Sequence, residues 1–409
     1  MSYLLNISIL KRNRNYGFLF LGQFVSFFGT MITGVALPYQ IYHETQSILM
    51  VGLLSLSQLI PLLFTALLGG VLADRHHRRR LLLITESILT IGCLLLALNS
   101  LLPLPKIWVL FVVATIMSAI NGLHRPALDS ITQQIVAKKD LAAVGTLSSF
   151  KFNVAMIAGP AVGGLIIAHF GIVITYLVDL VTFLISLTAL LMMTHIPKPE
   201  FKQDLSTFAS LKQGFKYAIS RQELVGTYVV DFVAMIFGMP TALFPAIAQS
   251  FGGVKTLGLL YTAPAVGALI NSLFSGWVEK VKRHGVAVAL AAGLWGVSII
   301  FFGLSKNLWL ALFFLVISGG LDNISGIFRS IMWNETIPNE LRGRLAGIEM
   351  ISYLGGPRLG DTEASLVAAA FSITASIVSG SVLCLVGVAV SCYFLPKFWK
   401  YQSGYLNKV

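Results

Sequence analysis

Charge is what this sequence has least of. Only 11% of its 409 residues are charged while 56% are hydrophobic, and the mean hydropathy is +0.82. Water-soluble domains carry about 25% charged residues, so a soluble globule is excluded. Cysteine is nearly as scarce. Cys93, Cys384 and Cys392 sit in or beside apolar runs and lack the spacing of a metal site or a disulfide framework. They read as small core residues. No glycine-rich loop ends in Gly-Lys-Ser or Gly-Lys-Thr, the nearest stretch being Gly253-Val-Lys255-Thr256, so the phosphate cradle of an ATP-driven pump is missing. His-Glu-x-x-His and a nucleophile elbow are missing as well. Neither an enzyme, a metal site nor a cofactor is expected, and an ion gradient is the expected energy source.

Lysine and arginine outnumber aspartate and glutamate 29 to 17, a formal charge of +12. Gathered on one face, that surplus would suit nucleic acid. Here the basic residues fall in short gaps between apolar runs, which is the pattern of membrane topology. Twelve runs are long enough to cross a bilayer, at about 17–39, 48–73, 81–102, 107–130, 142–168, 173–194, 223–248, 256–278, 285–304, 309–333, 345–367 and 373–395. With the N-terminus in the cytoplasm, inner loops and tails hold 22 of the 29 Lys and Arg, and outer loops only Lys106, Lys255 and Lys306. That asymmetry places both termini inside. Lys11, Arg12 and Arg14 ahead of the run 18–37 resemble a secretory signal. The run is about 20 residues long and no small-residue cleavage site follows, so a retained first span is expected.

The expected organisation is a cytoplasmic segment 1–16, a first bundle 17–194, a linker 195–222, a second bundle 223–395 and a tail 396–409. In the linker, Leu205, Phe208, Leu211, Phe215 and Ile219 recur at helical spacing, with Lys212, Lys216 and Arg221 placed to meet anionic headgroups. The halves echo one another. Gly276, Arg329 and the Gly356-Pro357 stretch follow Gly70, Arg125 and Gly159-Pro160 at offsets of 206, 204 and 197 residues (276−70, 329−125, 356−159). Three ordered matches near one offset suggest a duplicated six-span unit.

Ionisable residues inside spans are the best functional candidates, because each costs roughly 2.5–3.5 kcal/mol at a helix centre. Asp231 and Asp322 are the deepest acids; Asp179 lies nearer the outer end of its span, and Glu86 and Glu349 nearer the inner ends. A carboxyl in a low-dielectric setting can hold a proton near neutrality, as a relay requires. The alternative is a structural pair, such as Asp322 with Arg329 or Glu86 with Lys151. Arg125, Lys151, Arg329 and Arg358 place positive charge within the spans, for an anionic substrate or as counter-ions. Gln23, Asn121, Asn153, Asn271 and Trp333 add hydrogen-bonding or stacking surface.

Between spans two and three runs Gly69-Gly-Val-Leu-Ala-Asp-Arg-His-His-Arg-Arg-Arg-Leu81. This short basic loop resembles the signature loop of the major facilitator superfamily, except that His77 stands where glycine is usual. The resemblance implies that Asp74, with Arg75 beside it, faces the start of span eleven, where the helix dipole favours an anion. It also implies that Arg78 pairs with an acid at the cytoplasmic end of span four, for which Asp129 is the candidate, closing a cytoplasmic gate. The run Gly159-Pro160-Ala-Val-Gly163-Gly164 in span five is similar to the antiporter motif of drug exporters in that superfamily; its glycines permit close helix approach and its proline a bend.

Gly22-Gln-Phe-Val-Ser26, Val35-Ala-Leu-Pro-Tyr-Gln40, Asp231-Phe-Val-Ala-Met235, Leu341-Arg-Gly-Arg344 and Gly356-Pro-Arg-Leu-Gly360 resemble the branch that holds the enterobactin exporter and macrolide efflux proteins. The resemblance implies an all-α membrane protein of twelve helices in two six-helix bundles, alternating between inward- and outward-open states in the bacterial inner membrane. It implies a monomer that exchanges protons for a small molecule, a siderophore or an amphiphilic drug-like compound, with no nucleic-acid partner. A proton-symport nutrient importer and a non-transporting sensor or scaffold are the competing expectations.

Overall fold

The structure, a computed structural model, describes the backbone of residues 7–75, 77–137, 140–194 and 215–403. The side chains of 67, 69–76, 142, 339–340, 342–344 and 346–354 lie outside the described residues. The expected roles of Asp74, Arg75 and Glu349 therefore fall outside them, as does most of the linker.

Among the described residues every regular element is helical. In chain order they are α1 (Ser8–Arg12), α2 (Arg14–Thr45), α3 (Ile48–Arg75), α4 (Arg78–Ser100), α5 (Ile107–Ile135), α6 (Leu141–Met192), α7 (Gln222–Phe237), α8 (Phe244–Ser250), α9 (Val254–Leu273), α10 (His284–Leu304), α11 (Leu308–Thr336), α12 (Asn339–Ala370), α13 (Ile373–Phe394) and α14 (Pro396–Trp399). Side-chain caps start several of them. Asn13 accepts from Tyr16 N, Asn307 from Trp309 N and Ser372 from Ala375 N, satisfying amides that a helix start leaves unpaired. Prolines 38, 61, 126, 160, 264 and 357 lie inside helices, which neighbouring helices in a membrane tolerate.

By length and composition, ten stretches among the described residues can cross a membrane. One of them falls within α6, whose 52 residues are two helices meeting at Gly171, where φ is 81° and ψ 176°. Glycine has no Cβ to forbid that backbone, so the helix can break there. The helix α12 is 32 residues long but is not among the ten, and it carries Arg358, Asp361 and Glu363.

Two spans differ from expectation. The run 223–248 is not one helix: α7 ends at Phe237, and α8 begins only after Gly238, Pro240 and a short 3-10 turn, Thr241–Leu243. Proline at 240 has no N–H to give the ladder, and Pro245 then starts the new helix in a favourable first-turn position. Span eight ends at Leu273 rather than 278; a 3-10 turn, Ser275–Lys280, carries the remainder.

The chain forms two compact units. Unit one comprises Met1–Gln46, Ser57–Gln203 and Gly252–Thr262; unit two comprises Ser47–Leu56, Asp204–Phe251 and Ala263–Val409. In unit one α2 packs along α6, and α4 lies against both α5 and α6. Leu19, Leu82, Ala127, Ile131, Leu190 and Met193 meet there in one apolar cluster. In unit two α10 packs on α11 and α13, and α7 on α12 and α13. Large apolar side chains also remain on the outside, among them Ile60, Phe64, Trp309 and Phe371. Acyl chains cover such a surface in a bilayer.

Candidate functional site

In unit two the charged site is built by α7 and α11. Asp322 and Arg329 are seven residues apart, two helical turns, and so share a face of α11. The guanidinium of Arg329 makes an ion pair with Asp231 of α7 and lies 4.0 Å from Asp322. Arg329 and Asp231 are almost fully enclosed, whereas the Asp322 side chain is 47% exposed. Trp295 of α10 and Ser325 of α11 close a cleft of about 10 Å³ against them, room for one water at most. One cation thus sits between two acids, one dry and one accessible. Such a cluster can take up a proton or exchange partners without exposing the buried pair to solvent.

Unit one holds a different constellation. Glu86 of α4 is completely buried. Its Oε1 accepts from Gln23 Nε2 at 2.6 Å and from Ser186 Oγ at 3.0 Å, while Oε2 has no hydrogen-bond partner among the described residues. His124 Nε2 is 3.7 Å from the carboxylate and 2.9 Å from Gln23 Oε1; its Nδ1 is 2.8 Å from Thr85 Oγ1. Asp179, also completely buried, accepts from the hydroxyls of Thr33 and Thr182 and from the thiol of Cys93. Helices α2, α4, α5 and the second limb of α6 therefore converge on two enclosed acids. Among the described residues Glu86 makes no ion pair with Lys151. Lys151 instead neighbours Asp129 and Arg125 electrostatically, and Gln23 is tied inside the unit rather than open on its surface.

The remaining expected residues fall as follows. Arg78 donates from Nη1 to the Ser130 carbonyl at 3.4 Å, next door to Asp129, whose own carboxylate stands among Arg125 and Lys151. His77 has φ −65° and ψ 109°, extended backbone open to any residue, so the loop needs no glycine there. Of the antiporter-like run, Gly163 faces Ile32 of α2, and a Cβ on Gly164 would come 2.8 Å from the Gly258 backbone of α9. Contact that close explains glycine at 164. Arg358 lies beside Asp361 on α12. Asn271 Nδ2 donates to Asn323, and Trp333 donates to Thr227 while stacking on Tyr228, so both serve packing within unit two.

Asp361 is missing from the sequence expectation. It accepts from Thr241 Oγ1 at 2.5 Å, from the Ala242 amide at 2.9 Å and from Ser55 Oγ at 3.1 Å. One carboxylate thus ties α12 to the break after α7 and to the start of α3. An acid inside the run 345–367 was a sufficient signal. The partners Thr33, Thr85, Cys93, His124 and Ser186 had none, since only the fold brings them to the acids.

Membrane-length helices that bury charged clusters define a helical membrane protein, the class that the resemblance to the major facilitator superfamily implies. The chain matches, over residues 10–404, the family described as transmembrane secretion effector within that superfamily, and it belongs to that family. It is 28% identical over 390 residues to the enterobactin exporter EntS of Shigella boydii and of Escherichia coli, spanning 95% of this chain and 93% of each relative. Solved structures share the fold. A POT family transporter in complex with 5-aminolevulinic acid superposes with a TM-score of 0.74 at 13% identity, over 94% of this chain and 97% of that one. A bacterial homologue of the iron transporter ferroportin in an inward-facing state gives 0.69 at 14%, over 94% and 98%.

Proposed function

We propose that this protein is a proton-coupled exporter working by alternating access, and that its cargo is an anionic siderophore or a similar amphiphile. The observation that carries the reading is Arg329 held between Asp231 and Asp322 across α7 and α11. Two carboxylates around one guanidinium have two stable arrangements that differ by one proton. A proton arriving from outside neutralises one acid, Arg329 re-pairs with the other, and α7 and α11 repack as cargo leaves. Loss of the proton to the cytoplasm resets the cluster.

The ten membrane-length stretches become twelve spans when α6 is divided at Gly171 and α12 is added. Twelve spans in two six-helix bundles, in the bacterial inner membrane with both termini cytoplasmic, fit the basic loops. Asp74, Arg75, Arg78 and Asp129 are the proposed cytoplasmic gate, and Gly159, Pro160, Gly163 and Gly164 the flexible, leak-tight seam. Glu86 and Asp179 are proposed to hold protons inside unit one. Siderophore cargo is suggested by the name of the enterobactin exporter relative and by Arg125, Lys151 and Arg358 within the spans.

The test is uptake of a catecholate siderophore into everted membrane vesicles energised to be acid inside. Accumulation that collapses with a protonophore is the expected result. Accumulation only in right-side-out vesicles would make the protein a symporter for uptake, and no accumulation in either orientation would remove the transport reading for this cargo.

A further inference from the structure

We propose that unit one binds one anionic phospholipid in a groove between α2 and the second limb of α6, with the headgroup held at the end where α2 begins and α6 ends. The groove encloses about 420 Å³ and is open along one side. Phe18, Leu21 and Val25 line it from α2, and Leu184, Ile185 and Met192 from α6. Its single hydroxyl, on Thr188, is spent within the helix, donating to the Leu184 carbonyl at 2.8 Å. The channel therefore offers hydrocarbon along its length and asks for hydrocarbon in return.

Among the described residues, charge appears at one end only. The Arg14 guanidinium stacks over the Phe18 ring, 5.3 Å from its centroid, on an exposed side chain with no acidic partner among the described residues. At the same end, Arg79 donates Nε and Nη2 to the carbonyls of Leu190 and Leu191, at 2.8 and 2.7 Å, just ahead of Met192 in the groove wall. A guanidinium has five N–H donors in a fork, so Arg79 keeps others to offer, and such forks match phosphate oxygens. Two cations at the mouth of an apolar channel complement an amphiphile with an anionic head and a long chain. In a bilayer that amphiphile is an anionic phospholipid, and the absence of any carboxylate among the described residues of the groove wall favours it over a zwitterionic one.

The test is native mass spectrometry of the purified full chain in detergent, titrated with dioleoylphosphatidylglycerol or with dioleoylphosphatidylcholine. One phosphatidylglycerol should be retained about tenfold more strongly, the size of one charge-assisted contact. Arg14→Gln, an exposed change, should remove most of that preference. Val25→Trp, which fills the channel, should reduce retention of both lipids while lipid-free thermal unfolding shows the fold intact. Equal retention of the two lipids by the wild type overturns the proposal, as does either variant behaving like the wild type. The readout needs no transport, so it stands or fails apart from the exporter reading.

Discussion

Replacing Arg329 with glutamine takes the guanidinium from between two carboxylates in unit two. Arg329 and Asp231 are about nine-tenths enclosed. Breaking a buried ion pair by removing one partner costs about 3–5 kcal/mol, because the remaining charge keeps its desolvation penalty without its counter-ion. Asp322 adds little to that figure: its side chain is 47% exposed and 4.0 Å away, a geometry worth about 0–1 kcal/mol. The expected loss is therefore about 3 kcal/mol, nearly all from Asp231. The double variant Asp231→Asn, Arg329→Gln removes both charges and leaves two amides of similar shape, so it should recover to within about 1 kcal/mol of the wild type. Reversible unfolding of the purified protein in mixed micelles gives all four corners of the cycle. Transport in everted vesicles should not recover with stability, since the double variant has lost the cation whose partners a proton would switch under the proposed mechanism. An Arg329→Gln protein as stable as the wild type would show that the pair contributes nothing. A double variant that exports at the wild-type rate would show that the cluster is structural.

Three further outcomes follow from other contacts. Asp361→Ala strands the hydroxyls of Thr241 and Ser55 and the Ala242 amide; at about 1.5–3 kcal/mol for each bond to a charged acceptor, a loss of at least about 3 kcal/mol is expected in the same unfolding assay, and Asp361→Asn should lose less than half as much. Gly164→Val drives a side chain into the Gly258 backbone, so export should fall at least about tenfold while the amount of inserted protein is unchanged. Burial, and then the carboxylate of Glu335 that accepts from its hydroxyl at 2.8 Å, push the Tyr401 phenol above its ordinary value. A group raised in this way contributes its stability fully below its unfolded value, about 10, and loses it as pH rises further. Limited proteolysis should therefore show the C-terminal tail loosening above about pH 10, and Tyr401→Phe should abolish that step.

Helix positions were legible because a membrane span announces itself in composition alone. Basic loops and twelve apolar runs follow from the cost of putting charge in hydrocarbon, and that cost holds whatever the tertiary packing. What failed was local. The break after Phe237 depends on how Gly238, Pro240 and Pro245 act together, and hydropathy averages over it. Likewise the rule that flagged Asp231 and Asp322 found acids without finding their partners. Arg329 was reachable for Asp322 because both lie on one helix face, but the tighter bond to Asp231 comes from another helix 98 residues away (329−231). Glu86 shows the same limit. Its nearest cation by simple inspection was Lys151, whereas the fold surrounds it with an amide, a hydroxyl and an imidazole.

The two charged constellations nonetheless stand in matching places. Gln23, Glu86 and His124 meet in unit one; Asp231, Trp295 and Arg329 line one cleft in unit two. Taken pairwise they are offset by 208, 209 and 205 residues (231−23, 295−86, 329−124), the same interval that relates the basic loops. Three helices meet at that interval in each unit, α2, α4 and α5 in one and α7, α10 and α11 in the other, and the side chains delivered there differ. In unit one the acid comes from α4 and meets hydrogen-bonding groups and a histidine. In unit two it comes from α7 and meets an arginine. Burying an acid with and without a cation are different solutions to the same desolvation problem. On the proposed exporter mechanism a proton and a cargo are bound in one cycle, and two acid sites in unlike surroundings would serve them without altering the helical frame.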